Sequence, residues 1–169
     1  PPHNLDAEAS ALGAALLSRE AAASIVSITD PGDFYKPSHQ HIASAMARLM
    51  AEEDPHLDVV TVADLLRRDG LLEDCGGAQY LLELQNATPA ISNAHRYARI
   101  VKDTAILRRL IGTAAEISEL GYDSHDDPSS AIVRAGELLS RMGTADAETL
   151  STLEVADVAA LLAGNLQPE

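Results

Sequence analysis

Aromatic residues are scarce in this sequence: tryptophan is absent, and the 169 residues include only one phenylalanine and four tyrosines. Apolar residues nevertheless make up 46% of the chain, so a core must be built from Leu, Ile, Val and Ala. A core of that composition is typical of packed helices. The length suits one ordinary domain, or one domain followed by a tail.

Basic residues are also few. Only 12 Lys and Arg stand against 26 Asp and Glu, which gives a formal net charge of −14. Such an acidic surface repels phosphate backbones, so we expect no direct DNA binding by this segment. The stretch TVADLLRRDGLLEDCGGAQYLLELQ is similar in outline to a helix-turn-helix, but its second helix carries Glu83 and neither Arg nor Lys, which argues against a recognition helix.

Cysteine and long apolar runs are nearly absent. Cys75 is the only cysteine, which excludes an intramolecular disulfide and a Cys-based zinc site and fits a reducing cytoplasm. No apolar run approaches the roughly 18 to 20 residues of a membrane helix, and the N-terminus lacks the features of a signal peptide. We therefore expect a cytoplasmic protein with no membrane partner. Because the chain begins at Pro1, we expect a fragment or a processed product.

Catalytic and cofactor-binding motifs are missing as well. Neither lysine, Lys36 or Lys102, follows a glycine, so no P-loop is present to hold nucleotide phosphates. No G-x-S-x-G motif occurs, and no cation adjoins Cys75 in sequence to activate its thiol. His39 and His41 lie two residues apart, so on a helix they point to different sides and are expected to be polar surface residues. We predict no catalytic, cofactor-binding or metal site in this chain.

Helical periodicity is what the sequence does contain, and it predicts an all-α fold. Residues 1–90 are predicted to form a helical head, a compact bundle of short helices in which turn signals separate each helix from the next. In the stretch DFYKPSHQHI, Pro37 suits the first turn of a helix, and Phe34 and Tyr35 are predicted to hold a loop on the bundle. The predicted structural anchors are Phe34, Tyr35, Pro37 and Tyr80.

Several helix ends in the head carry capping signals. Asn4 or Asp6 is predicted to cap the first helix, and the acids Asp6 and Glu8 suit its positive end. In VVTVADLLRRDG, Thr61 is predicted to be the N-cap, with Val60 packing on Leu65, and Gly70 is predicted to be the left-handed residue that ends the helix.

Residues 91–142 are predicted to form a long helical hairpin. About 30 residues without proline predict a helix of roughly 45 Å, and Asp127-Pro128 predicts the start of a second, antiparallel helix. Their apolar residues cover more than one stripe, which favours self-association, although packing of the hairpin back on the bundle stays open. Two interpretations of Arg108 stay open. In the first, its aliphatic stem covers apolar surface while its charged end reaches water; in the second, its guanidinium pairs with acidic residues of a partner. The predicted interface comprises Tyr97, Ile100, Leu107, Arg108, Leu110, Ile111, Ala114, Ile117, Ile132, Leu138 and Leu139.

Four stretches in series carry a family resemblance: PPHNLDAEASALGAALLS, DFYKPSHQHI, VTVADLLRRDGLLEDCGGAQYLLEL and ATPAISNAHRYARIVKDTAILRRLI. Over roughly residues 2–142 the chain closely resembles the N-terminal domain of bacterial DnaB-type replicative DNA helicases. The resemblance implies a non-catalytic scaffold whose hairpins pair between subunits, giving a dimer or a trimer of dimers within a hexamer. It also implies docking of a primase or a helicase loader, with ATP and Mg²⁺ only in a separate RecA-like C-terminal domain.

The end of the chain departs from that family. Residues 143–153 are predicted to be a linker, and the whole of residues 143–169 is predicted to contain a linker and the start of a following segment. The family's linker helix is not similar to the final stretch of this chain, ADAETLSTLEVADVAALLAGNLQPE. This stretch instead favours a segment that precedes a different ATPase domain. The alternatives are therefore a DnaB-like head on another AAA or RecA-type ATPase of phage or mobile-element type, or a stand-alone adaptor protein.

Overall fold

The computed structural model describes the backbone of residues 1–122 and 127–150 and the side chains up to residue 143. Within these ranges the chain is built from helices, which confirms the predicted all-α fold class. None of the helices in this described part is long and apolar enough to cross a membrane. The helices are α1 (Leu5–Leu17), α2 (Arg19–Ile28), α3 (Pro37–Met50), α4 (Val59–Arg68), α5 (Gly77–Ala87), α6 (Ala94–Tyr122) and α7 (Pro128–Leu150), with short 3₁₀ turns at Pro31–Asp33 and Ile91–Asn93.

The chain divides into two compact units, the first ending at Arg108 and the second beginning at Arg109. We call residues 1–108 the head and the described residues from 109 onward the arm. The head extends beyond the predicted boundary at residue 90, because the first part of α6 has a buried side. The buried residues follow the three- and four-residue spacing of one helix side. They are Ala94, Ala98, Val101, Lys102 and Ala105.

Helix α1 lies at the centre of the head. Residues 11–16 are all buried, which a helix shows only when other elements surround it. Gly13 allows α5 to approach α1 closely: a methyl group at this position would overlap the carbonyl oxygen of Leu84 and the hydroxyl of Thr88. The largest fully buried apolar side chain of the core is Phe34, which follows the first 3₁₀ turn.

Side chains cap the N-termini of α1 and α4, and the N-cap of α4 differs from the predicted one. Asn4 caps α1, as its Oδ1 accepts a hydrogen bond from the backbone N of Ala7 at 2.9 Å. Helix α4 starts at Val59, because Asp58 Oδ1 accepts from the backbone N of Thr61 at 2.8 Å and Thr61 Oγ1 accepts from the backbone N of Asp58 at 3.0 Å. The prediction of Thr61 as N-cap is therefore wrong: Asp58 is the N-cap, and Thr61 is its reciprocal partner in a capping box.

At α4, the packing predicted for the start of the helix is wrong, whereas the glycine predicted to end it is confirmed. Val60 is 75% exposed, which contradicts its predicted packing on Leu65. The end of the helix follows the prediction: Gly70 has φ 73°, and the backbone N of Leu71 donates to the carbonyl of Leu66 at 2.8 Å. This 6→1 bond after a left-handed glycine is a Schellman motif, for which glycine carries no steric cost.

In the arm, α6 and α7 run antiparallel. Glu119, near the end of α6, and Arg134, near the start of α7, line one groove, whereas Arg109 and Met142 line another. Half-buried residues recur every three or four positions on both helices, which defines the side that each helix turns to the other. We call these residues the seam: Thr113, Ile117 and Leu120 of α6, and Ala131, Ala135, Leu138 and Met142 of α7.

Helix α7 is longer than predicted. Residues 143–150, predicted to belong to a linker, instead continue the helix to Leu150. This stretch contains no proline, and its Ala, Glu and Leu residues have high helix propensity, which explains the extension. The remaining residues of the predicted linker and following segment, 151–169, lie outside the described residues.

Candidate functional site

Two groups of polar side chains hold residues 30–39, which comprise most of the connection between α2 and α3 and the first turn of α3, and which we call the corner. The first group consists of Glu8 from α1, Lys36 and His39 from the corner, and Tyr80 from α5. Glu8 and His39 are 0% and 1% exposed. Since buried polar groups are costly unless hydrogen-bonded, each of these side chains needs partners within the head.

The four side chains form one continuous chain of hydrogen bonds, which we call the relay. Lys36 Nζ lies 2.9 Å from Tyr80 Oη, Tyr80 Oη lies 2.8 Å from His39 Nε2, and His39 Nδ1 lies 2.7 Å from Glu8 Oε2. Glu8 also accepts from the backbone N of Tyr35 at 2.6 Å and from that of Lys36 at 3.4 Å. The carboxylate therefore positions the backbone of the corner directly.

The burial of His39 corrects one sequence interpretation, and the burial of Glu8 is a feature that the sequence interpretation did not include. His39 is not a surface histidine, and Glu8, predicted only as an acid suited to the positive end of the first helix, is fully buried. A signal was present: Glu8 lies four residues before Leu12, and His39 lies three before Ile42, so each is on the buried side of its helix. Periodicity missed them because it assigns burial from apolar residues only.

The second group joins the corner to α6. Lys102 Nζ donates to Asp33 Oδ2 at 2.9 Å and to Asp30 Oδ2 at 3.2 Å. The Lys102 and Asp33 side chains are 11% and 2% exposed, so this pair is largely withdrawn from water. Burial alone would lower the pKa of Lys102, but its hydrogen bonds and charge interactions with Asp33 and Asp30 outweigh burial and raise it above the usual value.

Arg108 is placed against the head in a way that neither sequence interpretation anticipated. Its guanidinium donates to the backbone carbonyl of Pro2 at 2.8 Å and to that of Asp33. The same group lies 5.5 Å from the centre of the Tyr35 ring, whose stacked partner is His3 at 4.2 Å. Arg108 thus fastens the N-terminal residues and the corner together.

The predicted structural anchors occupy distinct places around the corner. Phe34 is in the core, whereas Tyr35 is 38% exposed and stacks on His3. Pro37 is the first residue of α3, where its missing N–H costs no hydrogen bond. Tyr80 is half-buried and belongs to the relay.

Glu8 is ionised because of its hydrogen bonds. Burial would raise the pKa of Glu8, but the hydrogen bonds from His39 and from the backbone of Tyr35 and Lys36 outweigh it and hold the pKa below the usual 4.5. A carboxylate whose folded pKa is depressed stabilises the fold above its unfolded value. That contribution is lost as the pH falls through the lower, folded value.

We therefore expect Glu8→Gln to destabilise the head at neutral pH, by about 1.5 kcal/mol, the typical contribution of one charge-assisted hydrogen bond. The difference from wild type should shrink towards pH 3, where the wild-type carboxylate also takes up a proton. Urea unfolding followed by circular dichroism at both pH values measures this. The exposed Glu83→Gln is the matched control, expected within about 0.5 kcal/mol of wild type; an equal Glu8→Gln deficit at both pH values would contradict the assignment.

The predicted interface residues fall into different environments. Tyr97 is half-buried against the head core, and Ile117 and Leu138 belong to the seam of the arm. Ile100 and Leu107, in the head part of α6, are 39% and 48% exposed. In the arm, exposed apolar residues remain outside the seam, and we call them the outer face: Leu110, Ile111, Ala114, Ile132, Val133 and Leu139.

The described residues bear on metal binding and on the reactivity of the cysteine. In residues 1–122 and 127–143 no group of three or more His, Cys, Asp or Glu side chains is arranged to hold a metal ion. Both ring nitrogens of His39 are occupied by Glu8 and Tyr80. Burial raises the pKa of the Cys75 thiol, and Asp74 adds to that shift, so the thiol is a poor nucleophile.

Comparison with known proteins places this architecture in a family. A model described as the DnaB-like helicase N terminal domain matches residues 1–103. A replicative DNA helicase DnaB of Leifsonia xyli subsp. xyli is 40% identical over 149 residues, which cover 88% of this chain and 32% of the relative. A replicative DNA helicase DnaC of Bacillus subtilis is 40% identical over 135 residues, covering 80% of this chain and 30% of the relative.

The fold agrees with the sequence comparison. The crystal structure of the N-terminal domain of DnaB helicase from Mycobacterium tuberculosis matches with a TM-score of 0.76 at 40% identity, covering 83% of this chain and 99% of that one. The chain spans about a third of the length of the curated helicases that it matches. The resemblance noted in the sequence is confirmed, and the chain belongs to the family of DnaB-like helicase N-terminal domains.

Proposed function

We propose that this chain is the non-catalytic scaffold domain of a replicative DNA helicase, which pairs subunits through the arm and docks a primase or a helicase loader. The outer face carries the proposal. Ile111 of α6 is 54% exposed, and Ile132 and Val133 of α7 are 73% and 61% exposed. Several apolar side chains at such exposure on one pair of helices favour a protein contact over free solvation.

A second copy of the chain is the partner that fits this face within the proposal. It yields a dimer, or a trimer of dimers in a hexameric ring, as the resemblance to DnaB-type helicases implies. ATP and Mg²⁺ then belong to a motor domain elsewhere in the parent ATP-dependent helicase. A DnaB-like head on another AAA or RecA-type ATPase and a stand-alone adaptor are the alternatives; the reading frame beyond residue 169 distinguishes a downstream P-loop from a stop codon.

We expect Ile111→Glu to weaken self-association at least about tenfold, because burying an isoleucine contributes roughly 1.5 to 3 kcal/mol and a buried unpaired carboxylate is costly. Light scattering over a concentration series measures the change in mass. Ala23→Glu, an exposed position on α2 of the head, adds the same charge and is expected to leave the mass unchanged.

Two results would count against the proposal. If the wild-type chain stays monomeric at the highest concentration, the outer face is not a self-association surface. If Ala23→Glu dissociates the assembly as strongly as Ile111→Glu, the effect is due to net charge and not to the outer face.

A further inference from the structure

Two arginines of the head, Arg96 and Arg99, differ from its other basic residues. Every other lysine and arginine of the head makes an ion pair or donates a hydrogen bond, as Lys102 does to Asp33. The guanidiniums of Arg96 and Arg99 have no such partner among the described residues. In a chain with a net charge of −14, two cations without a partner at one place are unusual.

Their position on α6 is unfavourable for the helix itself. Arg96 is exposed and Arg99 is half-buried, and a spacing of three residues makes them neighbours on one side. Like charges at that spacing destabilise a helix slightly, and so do cations near its N-terminus, where α6 has no acidic residue in the first turn. Helix stability therefore does not explain the two arginines, and positions that break a local preference are commonly functional.

The surroundings of the two arginines have the composition of a protein contact. Ile100, four residues after Arg96 and on the same side of α6, is 39% exposed. Arginine is enriched in protein interfaces, and its planar guanidinium can donate two parallel hydrogen bonds to one carboxylate. We call Arg96, Arg99 and Ile100 the basic patch, and its chemistry fits a segment with closely spaced carboxylates.

The head itself carries such a segment elsewhere on its surface. Residues 51–58, which we call the acidic loop, connect α3 to α4, and Glu52 and Glu53 are both exposed. The two carboxylates make no ion pair or hydrogen bond among the described residues. Glu52 has only a through-space charge interaction with Arg68, which already pairs with Asp64. One copy of the chain thus offers two complementary sets of charges that it does not pair within itself.

We propose that the head has a self-association surface of its own, in which the basic patch of one copy binds Glu52 and Glu53 of a second copy. The two sets of residues differ, so the contact is heterologous, and each copy can use its patch with one neighbour and its loop with another. The contact needs nothing from the arm. Its consequence, that it joins copies already paired through their arms into a larger assembly, rests on the proposed function.

Exchange of charges between two variants tests the contact in the full chain. All proteins carry Ile111→Glu, which removes the outer face, so the result does not depend on the proposed function. One variant adds Arg96→Glu with Arg99→Glu, and the other adds Glu52→Arg with Glu53→Arg. Alone, each should self-associate at least about threefold more weakly than the Ile111→Glu parent in sedimentation equilibrium, as two surface ion pairs are lost. An equimolar mixture should regain the parent's association, because opposite charges face each other again.

A matched control separates this contact from a general effect of net charge. Glu20→Arg with Glu83→Arg changes the charge equally at exposed positions outside the acidic loop, and its mixture with the Arg96→Glu, Arg99→Glu variant should stay weakly associated. Circular dichroism verifies folding; if the reversed arginines unfold the chain, Arg96→Gln with Arg99→Gln should weaken association as well.

Three results would overturn the contact: a parent that stays monomeric, charge reversals that leave its association unchanged, or a control mixture that associates as strongly as the exchanged pair. The outer face is judged separately, by comparison of the parent with the wild type.

Discussion

Replacing Lys102 by methionine is expected to lower the free energy of unfolding by about 3 to 5 kcal/mol, the usual cost of breaking a buried ion pair by removing one partner. Methionine has a similar length but no charge, so the buried Asp33 carboxylate loses the donor at 2.9 Å. Denaturant unfolding followed by circular dichroism measures the loss. The loss should not depend on pH near neutrality. Because the pKa of Lys102 is raised in the folded chain, its contribution to the free energy of unfolding is fully present below the usual 10.5 and is lost only as the pH rises through the higher folded value.

Two controls separate a buried pair from an ordinary one. The double variant Asp33→Asn with Lys102→Met removes both charges and should recover most of the lost stability. Arg68→Met removes the partner of Asp64 in an exposed ion pair on α4 and should have a far smaller effect, because water screens that pair. If Lys102→Met is as mild as Arg68→Met, the pair does not hold the corner to α6.

Gly13→Ala is expected to cost about 3 kcal/mol, the upper part of the range for overpacking a core. The added methyl group would overlap the carbonyl oxygen of Leu84 and lie 2.8 Å from its carbonyl carbon, so the backbone of α5 or α1 must shift. The better helix propensity of alanine offsets only about 0.5 to 1 kcal/mol of that cost. Urea unfolding and a crystal structure of the variant would measure the energy and the shift.

Glycines elsewhere in the helices supply the comparison. At Gly112 of α6 and Gly136 of α7, an added methyl group would meet no neighbouring atom within 4 Å, and both positions are exposed. Alanine at either position should leave stability equal or slightly higher, because helix propensity is then the main contribution that changes. A Gly13→Ala variant as stable as Gly112→Ala would show that α1 and α5 do not pack as closely as described.

The corner explains why a short stretch of sequence carries so many unusual residues. Asp33 pairs with Lys102 of α6, Phe34 fills the core, and Tyr35 stacks between His3 and Arg108. His39 completes the connection to α1 and α5, because one of its ring nitrogens bonds the Glu8 carboxylate and the other bonds the Tyr80 hydroxyl. The imidazole that could suggest a metal or a catalytic base is therefore part of a hydrogen-bonded joint.

Local features of this protein could be predicted from its sequence because their causes are local. The extent of α6, the cap at Asn4 and the turn at Gly70 depend on periodicity, on one side chain within reach of the next turn, and on a left-handed backbone that glycine tolerates. Thr61 shows the limit even here: Asp58 and Thr61 both satisfy capping rules, and only the hydrogen bonds distinguish the cap from its partner.

The sequence by itself determined the all-α class, the long helix followed by a second one, and the family. Tertiary structure alone decided that Glu8, His39 and Lys102 are buried, that the head continues to Arg108, and which arm residues form the seam and which the outer face. The physical reason is that burial of a charge depends on partners from distant parts of the chain, such as Glu8 with His39 and Lys102 with Asp33. No local pattern encodes those partners, whereas helix formation and capping act within a few neighbouring residues.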